Sequence, residues 1–550
     1  MPEAFYSGMS PFSGGAIFNV KAFGASGMGV HDDSEAIRAA AAALQHAGGG
    51  TLLFPPGTYR VFERGDTLTH FQGLDGVNVT GMGATLAIAP GRVWKPGETM
   101  NAFLFTGCSN VVVDGFNCTG PDLPWTGEFR GVAFVHLQGR NTNVRMPTNR
   151  VRGWLAGLAI TRWKREQGGD EVLRGRATNI EVGMLEASHG TYGINCAFNG
   201  DGLRVGRLKT DRVVRSYFAY GVRDHRLSIE ARNNQATDVV LTSYGEDGVG
   251  RGCEDIDITL VDHETDDTRW EEHFKVVIGF NQEPTVHRNI RLRLDLAYPP
   301  GARNSGGPAL RIEKRAGTQG AYDTRDRGHV LENLTVSGTI RGRPTFEHEG
   351  LLHTERDCAW GVAGPPDRWS NFLFQNLRID SPTPSDLVLD ALDRLTLMNV
   401  HSTAPIALRG QGTRQTTRRA RIEAVNSDAP NLHEVVRRGV AFYPVVDKAL
   451  EAPRAAVPEA WSGSPVDNRL LAQAADWTLP PARPGLEYTF TRVAPHAVEV
   501  RPAGRDRIRG RGAGEAVRLA AEGAALRLRC VERGTWEIVS ARGTSAPDDD

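Results

Sequence analysis

The sequence predicts an all-β chain, a parallel β-helix solenoid with a capping helix near its N-terminus and a small C-terminal β-domain. Three observations predict it. A short strand motif recurs from Asn110 to Leu397, a helical pattern occurs near the start, and the composition changes after about Asn426.

The opening is Phe18-Asn19-Val20, Phe23-Gly24-Ala25, then Gly29 to Ile37, then Gly48 to Tyr59. It reads strand, turn, helix, turn, strand. Asp33 or Ser34 supplies a capping oxygen. Ile37 and Leu44 line one face of an alanine-rich helix over Asp33 to His46, and the triplet Gly48-Gly49-Gly50 ends it. Leu52 to Phe54 makes a short buried strand, and Pro55-Pro56-Gly57 forces the corner after it. The cluster His31-Asp32-Asp33 fits a turn and a helix cap.

The repeat begins with a polar residue or glycine and continues with alternating apolar positions. Examples are Asn110 to Val113, Asn179 to Val182, Gly202 to Val205, Asp255 to Ile258, Asn289 to Leu292, Asn333 to Val336, Asn376 to Ile379 and Asp393 to Leu397. The spacings are roughly one or two multiples of 17 to 23 residues, a solenoid period. Alternation at period two turns one face of each strand inward. The leading Asn or Asp suits a tight turn, because it tolerates the left-handed conformation. A β-sandwich would need hairpin dipeptides between strands, which the pattern mostly lacks.

With these residues in place, the opening resembles the start of the pectate-lyase superfamily. That superfamily includes polysaccharide lyases, polygalacturonase-related glycosidases, alginate epimerases and phage tailspikes. The resemblance implies a right-handed parallel β-helix over residues 18–447, with the opening serving as its cap and first coil. It implies no chemistry for the opening. The calcium-binding aspartate cluster of pectate lyases and the Asp-Pro-His motif of alginate epimerases are not recognisable, which counts against those two activities.

Residues 448–466 are rich in Ala and Pro and read as a linker. Residues 467–545 hold a compact β pattern containing Trp477, Tyr488 and Trp536, and they resemble the small terminal domains of phage fibres and spikes. Residues 546–550 read as a frayed acidic tail. Residues 1–17 read as a short anchor segment.

Bulk properties set limits on function. The 550 residues are 40% hydrophobic and 23% charged, with a formal net charge of -1. That balance argues against nucleic-acid and anionic-membrane binding. There is no stretch long and apolar enough for a membrane span, and no recognisable signal peptide. Six scattered cysteines read as buried thiols. No nucleophile elbow, phosphate loop or zinc spacing occurs, and no cofactor is implied.

Polar and aromatic residues are densest between His189 and Glu283. On stacked coils, carboxylates about 5 to 9.5 Å apart can serve glycoside hydrolysis. The acids expected to act are Asp201, Asp224, Glu246, Asp247, Glu264 and Asp267. Tyr192, Tyr217, Tyr244 and Trp270 are expected to stack on sugars, and Arg223 to hold a carboxylate. A lyase would instead use a base such as Tyr217 or His225, with Arg223 neutralising the uronate.

These features lead to an expected homotrimeric spike on a phage or related particle, attached through residues 1–17 to a capsid or tail protein. It would recognise a bacterial capsular or exopolysaccharide and cleave it in one version of the reading. The alternative is a stand-alone glycoside hydrolase or polysaccharide lyase, exported without a recognisable signal.

Overall fold

The computed structural model describes residues 15–63, 67–123, 129–162, 171–246, 249–265, 275–280, 285–298, 309–314, 329–342, 368–380, 385–388, 394–403, 406–409, 421–429, 448–450, 452–458, 461, 465–483 and 486–545. The chain divides into two compact units. The first comprises Met1–Phe346, Arg356–Asp367 and Gln375–Pro382, and the second comprises Glu347–Glu355, Arg368–Phe374 and Thr383–Asp550.

In the first unit each coil contributes two strands. A short one enters a nine-stranded sheet that runs from Thr69–Gln72 to Leu310–Lys314, parallel throughout. A long one enters a second parallel sheet and bends midway. Asp75–Ile88 shows the bend: its first half pairs with Gly50–Leu53 and its second with Thr58–Val61. The result is a right-handed parallel β-helix.

The repeat read from the sequence is the register of this solenoid. Val182, Val205, Leu227, Ile258, Leu292 and Val336 pair coil to coil in one column, and all six are buried. Among the described residues, the Asn or Asp that leads each motif is left-handed, as expected. Asn110, Asn143, Asn179, Asp255, Asn289 and Asn333 have φ between 54° and 59°. Their side chains also bond between coils: Asn143 donates to Asn110 at 3.1 Å, Asn179 to Asn143 at 2.5 Å, Asn289 to Asp255 at 2.7 Å and Asn333 to Asn289 at 2.9 Å. Asn therefore satisfies the turn and staples the stack at once.

Helix α1, Ser34–His46, buries Ile37, Ala40, Ala41 and Leu44. Its cap departs from expectation. Asp33 is buried, and its carboxylate accepts from Ser26 N at 2.6 Å and Gly27 N at 3.2 Å, so it braces the preceding turn. Ser34 Oγ accepts from Phe62 N at 3.1 Å. Asp32 does the capping instead, accepting from Ser34 N at 3.0 Å. Gly50 is required by close approach, because a Cβ there would meet the Ala16 carbonyl at 2.4 Å. A single helical turn at Glu171–Arg174 and a 3-10 turn at Val20–Phe23 were not legible in the sequence. Ile17, placed in the anchor by sequence, pairs with Thr51 as a strand.

In the second unit, strands between Lys448 and Ser545 form two sheets around Trp477, Tyr488, Phe490 and Trp536, all fully buried. The segment expected to be a linker is part of this fold. Lys448–Ala449 pairs with Val466–Asp467, and Arg454–Ala456 pairs with Asp476–Thr478. Ala and Pro there mark short edge strands. Cys108, Cys118, Cys196, Cys253 and Cys530 are free and buried, as expected, and Cys358 lies outside the described residues.

Candidate functional site

The short-strand sheet has one column that faces inward: Phe105, Leu137, Ile160, Cys196, Ala219, Leu241 and Ile278, all buried. The neighbouring column therefore faces outward, since side chains alternate. It runs His70, Leu104, His136, Ala159, Asn195, Phe218, Val240 and Val277. A second outward column carries Gln72, Thr106, Gln138, Thr161 and Ala197.

His136 is the centre of the polar part. Its Nδ1 lies 2.7 Å from Asn101 Oδ1, and its Nε2 lies 2.6 Å from Thr161 Oγ1. Burial, with His70 nearby, lowers its pKa to about 4. The ring is thus a neutral imidazole at ordinary pH. Asn195 Oδ1 is buried without a hydrogen-bond partner among the described residues. A buried acceptor in that state is one that a ligand hydroxyl or amide can satisfy.

Beside this strip runs a continuous arc of rings. Phe129 stacks on Tyr192 at 6.0 Å, Tyr192 on Phe218 at 5.7 Å, and Phe218 meets Tyr220 edge-on at 4.8 Å. The arc continues from Tyr220 to Phe198 at 5.0 Å and from Phe198 to Tyr244 at 5.1 Å. Two guanidinium groups flank it. Arg215 lies 5.2 Å from the centre of the Phe218 ring. Arg162 lies 5.7 Å from that of Tyr244 and donates to its hydroxyl at 2.7 Å. Burial raises the pKa of the Tyr192 phenol to about 12, against the pull of Arg215. Phe129 is exposed, while Phe198, Tyr220, Arg162 and Arg215 are half-buried. These groups form the accessible part of the face.

Carboxylates are scarce here. Eight of the nine strands contain no Asp or Glu, and the ninth contains Glu313.

The structure places two of the residues expected from sequence, Tyr192 and Tyr244, in the ring arc, where both are fully buried beneath its accessible members. Others it places elsewhere. Tyr217 is fully buried inside the coil, where its hydroxyl meets His225 Nδ1 at 2.6 Å, so neither residue can touch a sugar. Glu264 is also buried, against Lys275, and is corrected from a site acid to an interior one. Asp201 is held by two of the guanidinium nitrogens of Arg176, each at 2.7 Å. Asp224 pairs with Arg204 at 2.5 Å, and Arg223 with Glu254 at 3.3 Å. Glu246 lies in a two-stranded antiparallel pair, Tyr244–Glu246 with Val249–Arg251. Asp247, Asp267 and Trp270 lie outside the described residues.

On the outer wall of the long-strand sheet, a groove of about 820 Å³ is lined by Arg145, Arg204, Arg207, Arg226 and Arg293 with Glu181 and Asp257. Coil-to-coil ion pairs occupy most of these arginines, such as Arg207–Glu230 at 2.8 Å and Arg293–Asp257 at 2.9 Å. Exposed pairs of this kind contribute little each, and they form a solvated wall.

Residues 17–87 match the model of the rhamnogalacturonase A/epimerase, pectate lyase-like family. The opening of this chain is pectate lyase-like. It is 57% identical over 49 residues to mannuronan C5-epimerase AlgE6 of Azotobacter vinelandii, a match covering 9% of this chain and 6% of that protein. Alginate lyase 7 of the same organism is 57% identical over 44 residues, 8% of this chain and 5% of that one. The chain thus spans only a small fraction of the length of these relatives. Among solved structures, the AlgE6 A-module aligns over 75% of this chain and 100% of its own, at 16% identity and a TM-score of 0.44. An exopolygalacturonase from Thermotoga maritima aligns over 76% of this chain and 93% of its own, at 13% identity and 0.35.

Proposed function

We propose that this chain acts on a polysaccharide, and that it binds uronate-containing chains along the outward face of the short-strand sheet. The observation that carries the reading is the arc of rings flanked by Arg162 and Arg215, next to the neutral His136 and the unsatisfied Asn195 oxygen. Rings offer apolar faces to sugars, and a guanidinium matches a carboxylate bidentately. The pectate lyase-like opening supports a polysaccharide ligand.

The same inventory bears on chemistry. Hydrolysis requires two carboxylates flanking the bond, and the strands here supply almost none. Proton abstraction next to a uronate carboxylate requires a base and a cation to neutralise the charge. His136 or Tyr220 could serve as the base and Arg215 or Arg162 as the cation. This favours elimination or epimerisation over hydrolysis.

The placement on a phage-like particle, as a homotrimeric spike for a bacterial capsular or exopolysaccharide, belongs to the same proposal. The resemblance of the C-terminal β-domain to fibre-end domains supports it.

The test is a panel of alginate, polygalacturonate and bacterial capsular and exopolysaccharides. Binding is read by calorimetry, elimination by the absorbance of unsaturated products, and hydrolysis by reducing ends. Binding to a uronate polymer, lost in Arg215→Ala and Tyr220→Ala, is the expected result. Binding only to neutral glycans, untouched by both variants, would overturn the reading.

A further inference from the structure

Away from that face, the interior of the solenoid contains a lysine surrounded by acids. Lys275 Nζ contacts the carboxylates of Glu264 and Asp262 and lies 3.6 Å from Asp238. The Lys275 side chain is 2% exposed and those of the three acids 0%. Tyr298 places its ring 5.5 Å from Nζ, and Asn234 fixes Asp238 through a 2.7 Å hydrogen bond. The backbone on both sides is anchored. Glu264, just past the strand Glu254–His263, donates its amide to Ala297 O at 3.2 Å. Lys275, just before Val276–Phe280, accepts from Val239 N at 3.0 Å.

We infer that Lys275 and Glu264 condense into an intramolecular amide, a covalent staple joining the end of the strand Glu254–His263 to the start of the strand Val276–Phe280. A charged pair is costly to bury, and condensation removes it. The anchored backbone holds nucleophile and electrophile together, which replaces a bimolecular encounter.

The step balances without an external reagent. The Lys275 ammonium gives one proton to the Asp262 carboxylate, and the freed Nζ lone pair attacks the carboxyl carbon of Glu264. A C–N bond forms. Asp262 passes that proton to the departing oxygen, then carries a second proton from the nitrogen to the same oxygen; the C–O bond breaks and one water leaves. The carboxylate and ammonium become a neutral amide, and two of the four buried charges described here disappear. Asp262 is the proton carrier because it touches the same nitrogen, whereas Asp238 is farther away and tied to Asn234.

Mass spectrometry of the intact protein tests this directly. The expected mass is one water below that of the sequence. Trypsin should release residues 252–269 joined to a second peptide that begins at Trp270, with no cleavage after Lys275. Fragmentation should place the link on Glu264. A native protein at full sequence mass, giving a free peptide that ends in Lys275, would overturn the proposal. Asp262→Asn keeps the shape of the site but removes the proton carrier, so its linked fraction should fall at least tenfold. Complete linkage in that variant would overturn the role given to Asp262. Glu264→Ala should restore the full mass, and a link persisting there would show that another acid is the acyl donor.

Discussion

The Tyr217 hydroxyl donates to His225 Nδ1 across 2.6 Å in the closed interior of the solenoid, and His225 Nε2 donates in turn to the Gly200 carbonyl at 3.1 Å. His225 occupies an inward position on its strand, paired with Ile256 on the next coil. An imidazole there must be neutral. Burial lowers its pKa to about 4, and it lowers that of His287 to about 3.

The first prediction follows from these two histidines and His136. Each has a folded pKa below its unfolded value of 6.5, so the unfolded chain binds the extra proton first. The stability due to their neutral burial is fully present above about pH 6.5 and is lost as the pH falls toward each folded pKa. Each contributes a slope of about 1.4 kcal/mol per pH unit in that window. Urea midpoints measured between pH 7 and 4.5 should fall steeply. The slope should shrink by about one proton in Tyr217→Phe/His225→Leu, which removes one titrating ring and its partner together.

The asparagine stack gives the second prediction. Asn179 has a φ of 54° and donates to Asn143. Asn179→Ala should cost about 1–2 kcal/mol from the left-handed backbone alone, with the loss of the side-chain bond added. Asn179→Gly keeps the backbone relaxed and loses only the bond, so it should cost clearly less. Guanidinium unfolding of the two variants separates these contributions, and equal losses would show that the stack bond dominates.

These two cases show what the sequence made legible. The leading Asn of each motif was readable because one residue carries both the turn and its spacing. Tyr217 was misassigned because strands covered on both faces lose the period-two signal. Arg215–Tyr220 has four consecutive buried residues, and Val239–Thr242 is buried throughout. Tyr217 and Phe218 are therefore indistinguishable by pattern, although one points inward and the other outward. His136, Asn101 and Arg162 had no local signal, since the stacking of coils brings together residues far apart in sequence. Glu264 was expected among the site acids for the same reason, since its pairing with Lys275 had no local signal.

A third prediction concerns pH and the proposed site. If His136 is the base, it is already deprotonated at neutral pH, because burial holds its pKa at about 4. Turnover should then stay level from pH 7 to 5 and fall only as the pH approaches 4. His136→Gln, which keeps some hydrogen bonding but cannot take a proton, should lower turnover by roughly two to four orders of magnitude while binding persists. A parental acid limb near pH 6.5 would assign the base to another residue.

The last prediction concerns the C-terminal β-domain and the boundary that the structure moves. Trp477, Tyr488 and Trp536 lie in its own core, where Tyr488 and Trp536 pack with ring centres 5.7 Å apart. They are not available as an interface, so any contribution to a trimer must come through keeping the domain folded. Trp536→Ala should cost about 3–5 kcal/mol. Truncation after Pro465 removes Val466 and Trp477, the partners of Lys448 and Ala455, and leaves two strand segments with unpaired edges. Exposed edges of this kind invite aggregation. Truncation after residue 447 removes the whole set of strands and leaves no such edge from this domain. Light scattering on the full chain and on the two truncations discriminates the outcomes. The chain ending at 465 should aggregate, and the chain ending at 447 should stay soluble. If the proposed trimer exists in the full chain and persists in the shorter truncation, the solenoid shafts associate by themselves. If the shorter truncation is a monomer, the C-terminal domain carries the assembly.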